Sequence, residues 1–458
     1  MKARLAALTL REAARLVAER EVEPRDIFDA CMENVKRFND RLRAFITIFN
    51  YEQPRARRGK PLYGMPISLK DLIYTAGKPT TAGSKILSSF TPSYDATIVE
   101  RLMAGGAVIT GKTNLHEFAF GVTNKNPHYG VCRNPWNEDR ISGGSSGGSA
   151  VSVAAGMSLA SIGTDTAGSV RIPASLCGVV GYKPSYGLIS RHGIIPLSWS
   201  LDHVGFLTRS VGDAAFLAAL TAGRDKRDES TIPAKLVGIE AAIRPAQLRR
   251  LKIGIPRNYF LDILEQDVRR VYEDTIARAE AEGATLREVE VEKIESINAV
   301  RYIIVHAEAA AYHRRFIQER FNEYGEDLKR RLAQGLAIPA STYLNAQRAR
   351  RRLSERFRRV FKDVDILITP TTPITAPRVE DNTVELDGRV MDVRPALLRL
   401  TEPINVVGAP AISIPAGKSR DGLPIGVQLV ADVLQDRKLM AAALALEKIL
   451  PPTATASR

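Results

Sequence analysis

Apolar positions fall at helical spacing from the start of the chain. Leu10, Ala13, Ala14 and Val17 follow Thr9 and Glu12, which have the spacing of a capping box. Pro24 opens a second such stretch, with Ile27, Cys31 and Val35 on one stripe. The spacing predicts a helical hairpin over about residues 9–40, then a strand at 45–49 and a charged loop at 53–61. Beyond residue 62 the pattern changes. Short apolar runs at 65–69, 107–109, 159–162 and 177–182 alternate with helical stretches such as 96–104 and 149–156. Residues 225–362 read as mostly helical and charged, apart from a strand at 251–255. Strands return at 364–369, 411–415 and 425–430, followed by a helix over 434–450. Alternation of this kind predicts an α/β fold: a large mixed, mostly parallel twisted sheet covered by helices on both faces. A single domain over 1–450 is expected, with the hairpin at its start, a helical excursion at about 225–362 and a loose tail at 451–458.

Composition narrows the class. The 458 residues are 45% hydrophobic and 25% charged, a mixture that excludes a disordered chain, a collagen-like repeat and a coiled coil. No apolar run reaches the roughly 18 residues of a membrane span. The apolar stretch at 5–10 is too short for a secretion signal, so a cytoplasmic location and no membrane partner are expected. The net charge of +14 could attract nucleic acid, an anionic membrane or acidic substrates, or reflect an arginine-rich surface, and the excess is partly local. Between Arg348 and Lys362 eight basic residues accompany one acid, Glu355, on a stretch with helical spacing at Leu353, Phe357, Val360 and Phe361. A solvated helix face accounts for such a run. A nucleic-acid surface would interleave aromatic residues on the basic side, and none is placed there.

Metal and disulfide chemistry find little support. Cys31, Cys132 and Cys177 are sparse and unpaired in spacing. His306 and His313 lie two turns apart on one helical stretch, but without a matching carboxylate pattern, so no metal and no other cofactor is expected.

The glycine- and serine-rich segments carry more. Gly143-Gly144-Ser145-Ser146-Gly147-Gly148-Ser149 precedes a small-residue helix. A phosphate cradle would need a lysine that is missing here. A nucleophile elbow, Gly-x-Ser-x-Gly, fits around Ser145 and again around Ser146, yet the segment upstream is polar rather than an apolar strand. A second loop, 163–173, follows a strand-like run and places small residues ahead of Ser169. Several backbone N–H groups aimed at one point are what an oxyanion hole requires. Lys70 ends another apolar run, where a lysine either snorkels or is functional.

Together these segments resemble the amidase signature family. The matching stretches are Tyr63-Gly64-Met65-Pro66 through Lys70-Asp71, Pro79 to Ser84, Gly111-Lys112-Thr113-Asn114, Asn134-Pro135-Trp136, Gly143 to Ser149, Gly163 to Pro173 and Cys177 to Pro184. Thr369-Pro370-Thr371-Thr372-Pro373 and Gly426-Val427-Gln428-Leu429 are similar to its C-terminal strands. The resemblance implies a serine amidohydrolase with Ser169 as nucleophile, Ser145 as bridging serine after a cis peptide bond, and Lys70 as base. It also implies an oxyanion hole from the N–H groups of Thr166, Ala167, Gly168 and Ser169, with Asp165 and Arg171 holding the loop as an ion pair. Ala167 stands where glycine is usual, which is tolerable only at negative φ. Substrate contacts are expected from Phe118, Ala119 and Phe120, with Tyr129 and Trp199 nearby, and their apolar character points to aryl or alkyl amides; ordinary core packing is the alternative for each aromatic. The expected partner is a small-molecule amide, with a homodimer left open. The runner-up reading is the glutaminase subunit of a tRNA-dependent amidotransferase, in which nucleic acid is met only through a partner. The +14 charge would suit that subunit, but the segment at 341–350 lacks the paired tyrosines expected of it, and 397–409 looks more like generic amidases.

Overall fold

The computed structural model describes residues 2–234, 238 and 243–452, so residues 453–458 of the expected tail lie outside the described residues. The capping box forms as its spacing implies: Thr9 and Glu12 exchange hydrogen bonds at the start of helix Leu10–Ala18. Its first two N–H groups, on Leu10 and Arg11, also donate to the Asp213 carboxylate of helix Val211–Thr221. A carboxylate at that end meets both the unpaired donors and the positive end of the helix dipole. Helix Pro24–Leu42 follows, with Ile27, Cys31 and Val35 buried.

Among the described residues eleven strands form one continuous sheet: β1 (Phe45–Ile48), β2 (Pro66–Lys70), β3 (Val108–Thr113), β4 (Ala160–Asp165), β5 (Val180–Lys183), β6 (His203–Thr208), β7 (Lys252–Pro256), β8 (Thr285–Val289), β9 (Ile366–Pro370), β10 (Ala411–Lys418) and β11 (Pro424–Val430). Their spatial order is β1-β3-β2-β4-β6-β5-β10-β11-β9-β7-β8. Every residue of β2, β4, β5, β6, β9 and β11 is buried. Successive side chains point to opposite faces, so both faces of the central sheet are covered.

The mixed α/β sheet is as expected, but the predominance of parallel pairing is not. Among the described residues, six of the ten neighbouring pairs are antiparallel. Only β3-β2, β2-β4, β9-β7 and β7-β8 run parallel. The reason is local at one point: β10 and β11 form a hairpin over a short turn, which is necessarily antiparallel, and this hairpin sits inside the sheet. The expected excursion also shrinks. Strands β7 and β8 pair in parallel and join the sheet through β9, leaving helices Ile297–Arg320, Glu326–Leu336 and Ala340–Arg359 outside it. The first two of these cross closely at Gly335, where a Cβ would lie 2.2 Å from the His306 carbonyl oxygen.

Candidate active site

Strands β2 and β4 are parallel neighbours, in register from Ile67 against Ala160 to Leu69 against Ile162. This brings Lys70, the last residue of β2, beside Thr164 at the end of β4. The Lys70 ammonium donates to Ser145 Oγ at 2.7 Å and to Thr164 Oγ1 at 2.9 Å, and both Lys70 and Ser145 are fully buried. Among the described residues no carboxylate contacts that nitrogen. Burial strips the amine of solvent and lowers its pKa to about 7, against the upward pull of the more distant Asp202 and Asp165 charges. Asp202 is itself pushed up to about 6 by burial, opposed by bonds from Thr166 Oγ1 and the N–H groups of Leu197 and Ser198.

Ser145 follows a cis peptide bond from Gly144. The next residue stitches the two serine loops together: Ser146 N–H donates to the Ser169 carbonyl at 3.1 Å and its Oγ donates to the Thr164 carbonyl at 3.1 Å. The hydroxyl of Ser146 is thus engaged on backbone, whereas Ser169 Oγ has no hydrogen-bond partner among the described residues. Ser169 instead lines a small cavity of about 20 Å³ together with Thr166, Ala167, Phe120 and Leu398. Of the three residues expected to form the triad, Ser169 lines the cavity, whereas the buried Lys70 and Ser145 do not.

The loop between β4 and helix Arg171–Cys177 is held by the expected ion pair. Arg171 Nε and Nη2 bond the two Asp165 oxygens at 3.0 and 3.1 Å, with both side chains fully buried. Burial opposes the charge on Asp165, but Arg171, the Lys183 charge and the Asn405 amide outweigh it and hold the carboxyl well below the usual range. Arg171 also reaches the Gln428 and Asn405 side chains and the Thr401 carbonyl, so one guanidinium links the loop to β11 and to residues 401–405.

The expected oxyanion hole needs one correction. Gly168 N–H donates to Asp165 Oδ1 at 2.7 Å, because the carboxylate turns back into its own loop, and this N–H is not available to a substrate. Among the described residues the N–H groups of Thr166, Ala167 and Ser169 have no acceptor. Gly168 is required for shape: its φ is +129°, and a Cβ would lie 2.1 Å from Thr401 Oγ1. Ala167 has no positive φ, which accommodates its methyl group.

The aromatic expectations divide. Ala119 and Phe120 line the cavity, but Phe118 does not. Its ring is buried edge-on against His313 at 4.4 Å and beside Tyr324, as core packing of the excursion helices. Trp199 is 46% exposed and, with Tyr129, does not line this cavity. His306 and His313 pack on Phe120 and Phe118, and among the described residues no three His, Cys, Asp or Glu side chains gather as metal ligands. Sequence reasoning missed Thr164, Asp202, Thr401, Asn405 and the two cavity arginines, Arg301 and Arg394. Thr164 lies in the segment 163–173, and Thr401 and Asn405 in 397–409, segments that the sequence singles out without a role for these residues; no signal points to Asp202, Arg301 or Arg394.

Comparison with known proteins covers nearly the full length. A glutamyl-tRNA(Gln) amidotransferase subunit of Halothermothrix orenii is 36% identical, with 97% of each chain covered. A solved amidase is 34% identical with a TM-score of 0.87, over 97% of this chain and 100% of that one. The inhibitor-bound form of a vestigial protein complex, described as revealing the origins of an s-triazine catabolic enzyme, is 31% identical with a TM-score of 0.90, over 98% and 100%. Residues 27–440 match the family model described as Amidase, and with that match the chain belongs to the amidase signature family.

Proposed function

We propose that this hydrolase cleaves a small carboxylic amide to the acid and ammonia through an acyl-enzyme on Ser169. The observation that carries this reading is the arrangement around Lys70: a buried amine drawn to about pKa 7 and bonded to two hydroxyls, one of them Ser145, while Ser169 lines the small cavity. A serine hydroxyl becomes a nucleophile only when a base takes its proton, and neutral Lys70 is that base. Ser169 Oγ attacks the amide carbon as its proton passes to Ser145 Oγ, while the Ser145 proton passes to Lys70 Nζ. The N–H groups of Thr166, Ala167 and Ser169 receive the charge that develops on the carbonyl oxygen. On collapse the proton returns through Ser145 to the amide nitrogen, the C–N bond breaks and ammonia leaves. Water then attacks the ester by the same relay, regenerating Ser169. Asp165 and Arg171 shape the loop and take no proton in this scheme.

A second reading, the glutaminase subunit of a tRNA-dependent amidotransferase, draws support from the relatives at 36–37% identity that carry an amidotransferase name. The same chemistry would then serve a complex. Ammonia release from simple amides and from glutamine, measured with this chain alone, separates the two. Turnover without a partner supports the lead reading, whereas glutamine turnover that appears only with a partner protein and charged tRNA overturns it. Mass spectrometry after fluorophosphonate treatment tests the nucleophile, and the adduct is expected on Ser169.

A further inference from the structure

The positive charge at the mouth of the small cavity is unevenly satisfied. Among the described residues two arginines line it, and no acidic side chain does. Arg301 is turned back into the protein: its Nε donates to Glu402 Oε2 at 2.7 Å and its Nη2 to Asn298 Oδ1 at 3.2 Å. Arg394, half-buried on helix Val393–Leu398, makes no ion pair and no hydrogen bond among the described residues. Its guanidinium lies over the face of Phe120, 5.4 Å from the ring centroid. Arg331 takes the same ring at 5.6 Å, but both Asp327 oxygens satisfy it.

Arg394 also stands at a junction. With Gly121 and Val122 it is shared between the small cavity and a larger one of about 790 Å³. The acids of that larger cavity are mostly engaged elsewhere. Glu117 accepts from Ser84 and Gly325, Asp327 from Arg330 and Arg331, Glu326 from Lys329, and Asp381 from the N–H of Arg378. Asp392, two residues from Arg394 and exposed, forms no ion pair with it among the described residues. The contact with Phe120 is made through the ring face and leaves the N–H groups of Arg394 without an acceptor among the described residues. The edge of a guanidinium matches a carboxylate, which it binds through two parallel hydrogen bonds.

We propose that Arg394 is the specificity residue of this site and binds a carboxylate of the substrate, so that the enzyme takes short amides carrying a carboxylate a few bonds from the scissile carbonyl. This rests on the acyl-enzyme reading of Ser169. Ser169 and Arg394 line the same small cavity, so a carboxylate carried a few bonds from a carbonyl held at Ser169 is the group that meets Arg394. Phe120 is then a platform for cations rather than a wall for an aryl group, which replaces the aryl or alkyl amides expected from its apolar character.

The test uses the full chain and the initial rate of covalent labelling of Ser169 by a fluorophosphonate, with succinamate and its uncharged isostere succinamide as competitors, read before succinamide is converted to succinamate. In the unaltered protein succinamate is expected to slow labelling at a concentration about tenfold lower, or more, than succinamide. In Arg394→Gln the two competitors should become equivalent within about twofold, and Arg394→Lys should keep part of the preference because it keeps the charge. An unchanged melting curve shows that the variants are folded. Protection by succinamate no better than by succinamide, or a preference that survives in Arg394→Gln, overturns the proposal. Absence of any adduct on Ser169 overturns the acyl-enzyme reading instead.

Discussion

The pH dependence of acylation follows from where Lys70 sits. Only the neutral amine can take a proton from Ser145, so the rate must rise with pH through the Lys70 pKa and then level off. With that value at about 7, about nine-tenths of the amine is neutral at pH 8 and just under one-tenth at pH 6, a loss of about tenfold in kcat/KM. An unshifted lysine near 10.4 would be about 0.4% neutral at pH 8, and the rate would still be climbing at pH 10. Asp202 adds a second feature. Its charge is the largest force holding the Lys70 pKa up, and burial pushes Asp202 itself up to about 6. Protonation of Asp202 below that pH removes its pull, so the acid limb should become shallower there. Asp202→Asn should move the midpoint to lower pH and restore the shape of a single titration. The assay is the rate of Ser169 labelling across overlapping buffers at constant ionic strength, which isolates acylation from product release. A profile flat from pH 5 to 9, a midpoint above pH 9, or an upward shift in Asp202→Asn would refute the role given to Lys70.

Other expectations are simpler to read. Ser169→Ala should lower kcat by about a thousandfold or more, whereas Ser146→Ala should remove a backbone bond worth about 1 kcal/mol and leave Ser169 open to labelling; a lethal Ser146→Ala beside a mild Ser169→Ala would restore the elbow reading. Arg171→Met leaves the fully buried Asp165 without its counter-charge, and a stability loss of about 3–5 kcal/mol should appear in thermal melts together with loss of activity. Gly168→Ala puts a methyl group 2.1 Å from Thr401 Oγ1 at a φ of +129°, and Ser169 labelling should slow by at least tenfold, about 1.4 kcal/mol or more in barrier.

What could be read in the sequence was whatever depends on near neighbours. The capping box of Thr9 and Glu12 spans three residues, and it forms. Buried strands such as β2 and β4 announce themselves as apolar runs. Strand β8 does not, because it is the sheet's outer strand and most of its residues are exposed or half-exposed, so its pattern is that of a charged helix surface. Lys70 alone was ambiguous between snorkelling and chemistry. Its partners at 145 and 164 lie far along the chain and come near only because β2 and β4 are adjacent in the sheet. The similarity of whole segments to the amidase signature family brought those positions together before any coordinates did. It named no role for Thr401, Asn405 or Gln428, whose contacts with the Asp165–Arg171 loop exist only in three dimensions.

Phe118 and Phe120 show why specificity is harder to read than chemistry. Two residues apart, they would share a side in a strand, and neither sequence context separates them. The chain between them instead passes through the left-handed region twice, with φ of 47° at Phe118 and 60° at Ala119, a conformation uncommon for either residue. That turn packs Phe118 with His313 and Tyr324 and places Phe120 at the cavity, under Arg331 and Arg394. Unfavourable backbone of this kind persists only where surroundings enforce it. Here they are the excursion helices: Glu117 accepts from the N–H of Gly325, and His313 bonds Tyr324. The Lys70, Ser145 and Ser169 constellation therefore depends on the sheet, whereas the cavity mouth depends on how residues 297–336 clamp residues 117–120. Substitutions in that clamp, such as Tyr324→Phe, should alter the choice between succinamate and succinamide while leaving the pH midpoint of acylation in place, and a shifted midpoint would show that the two parts are not separable.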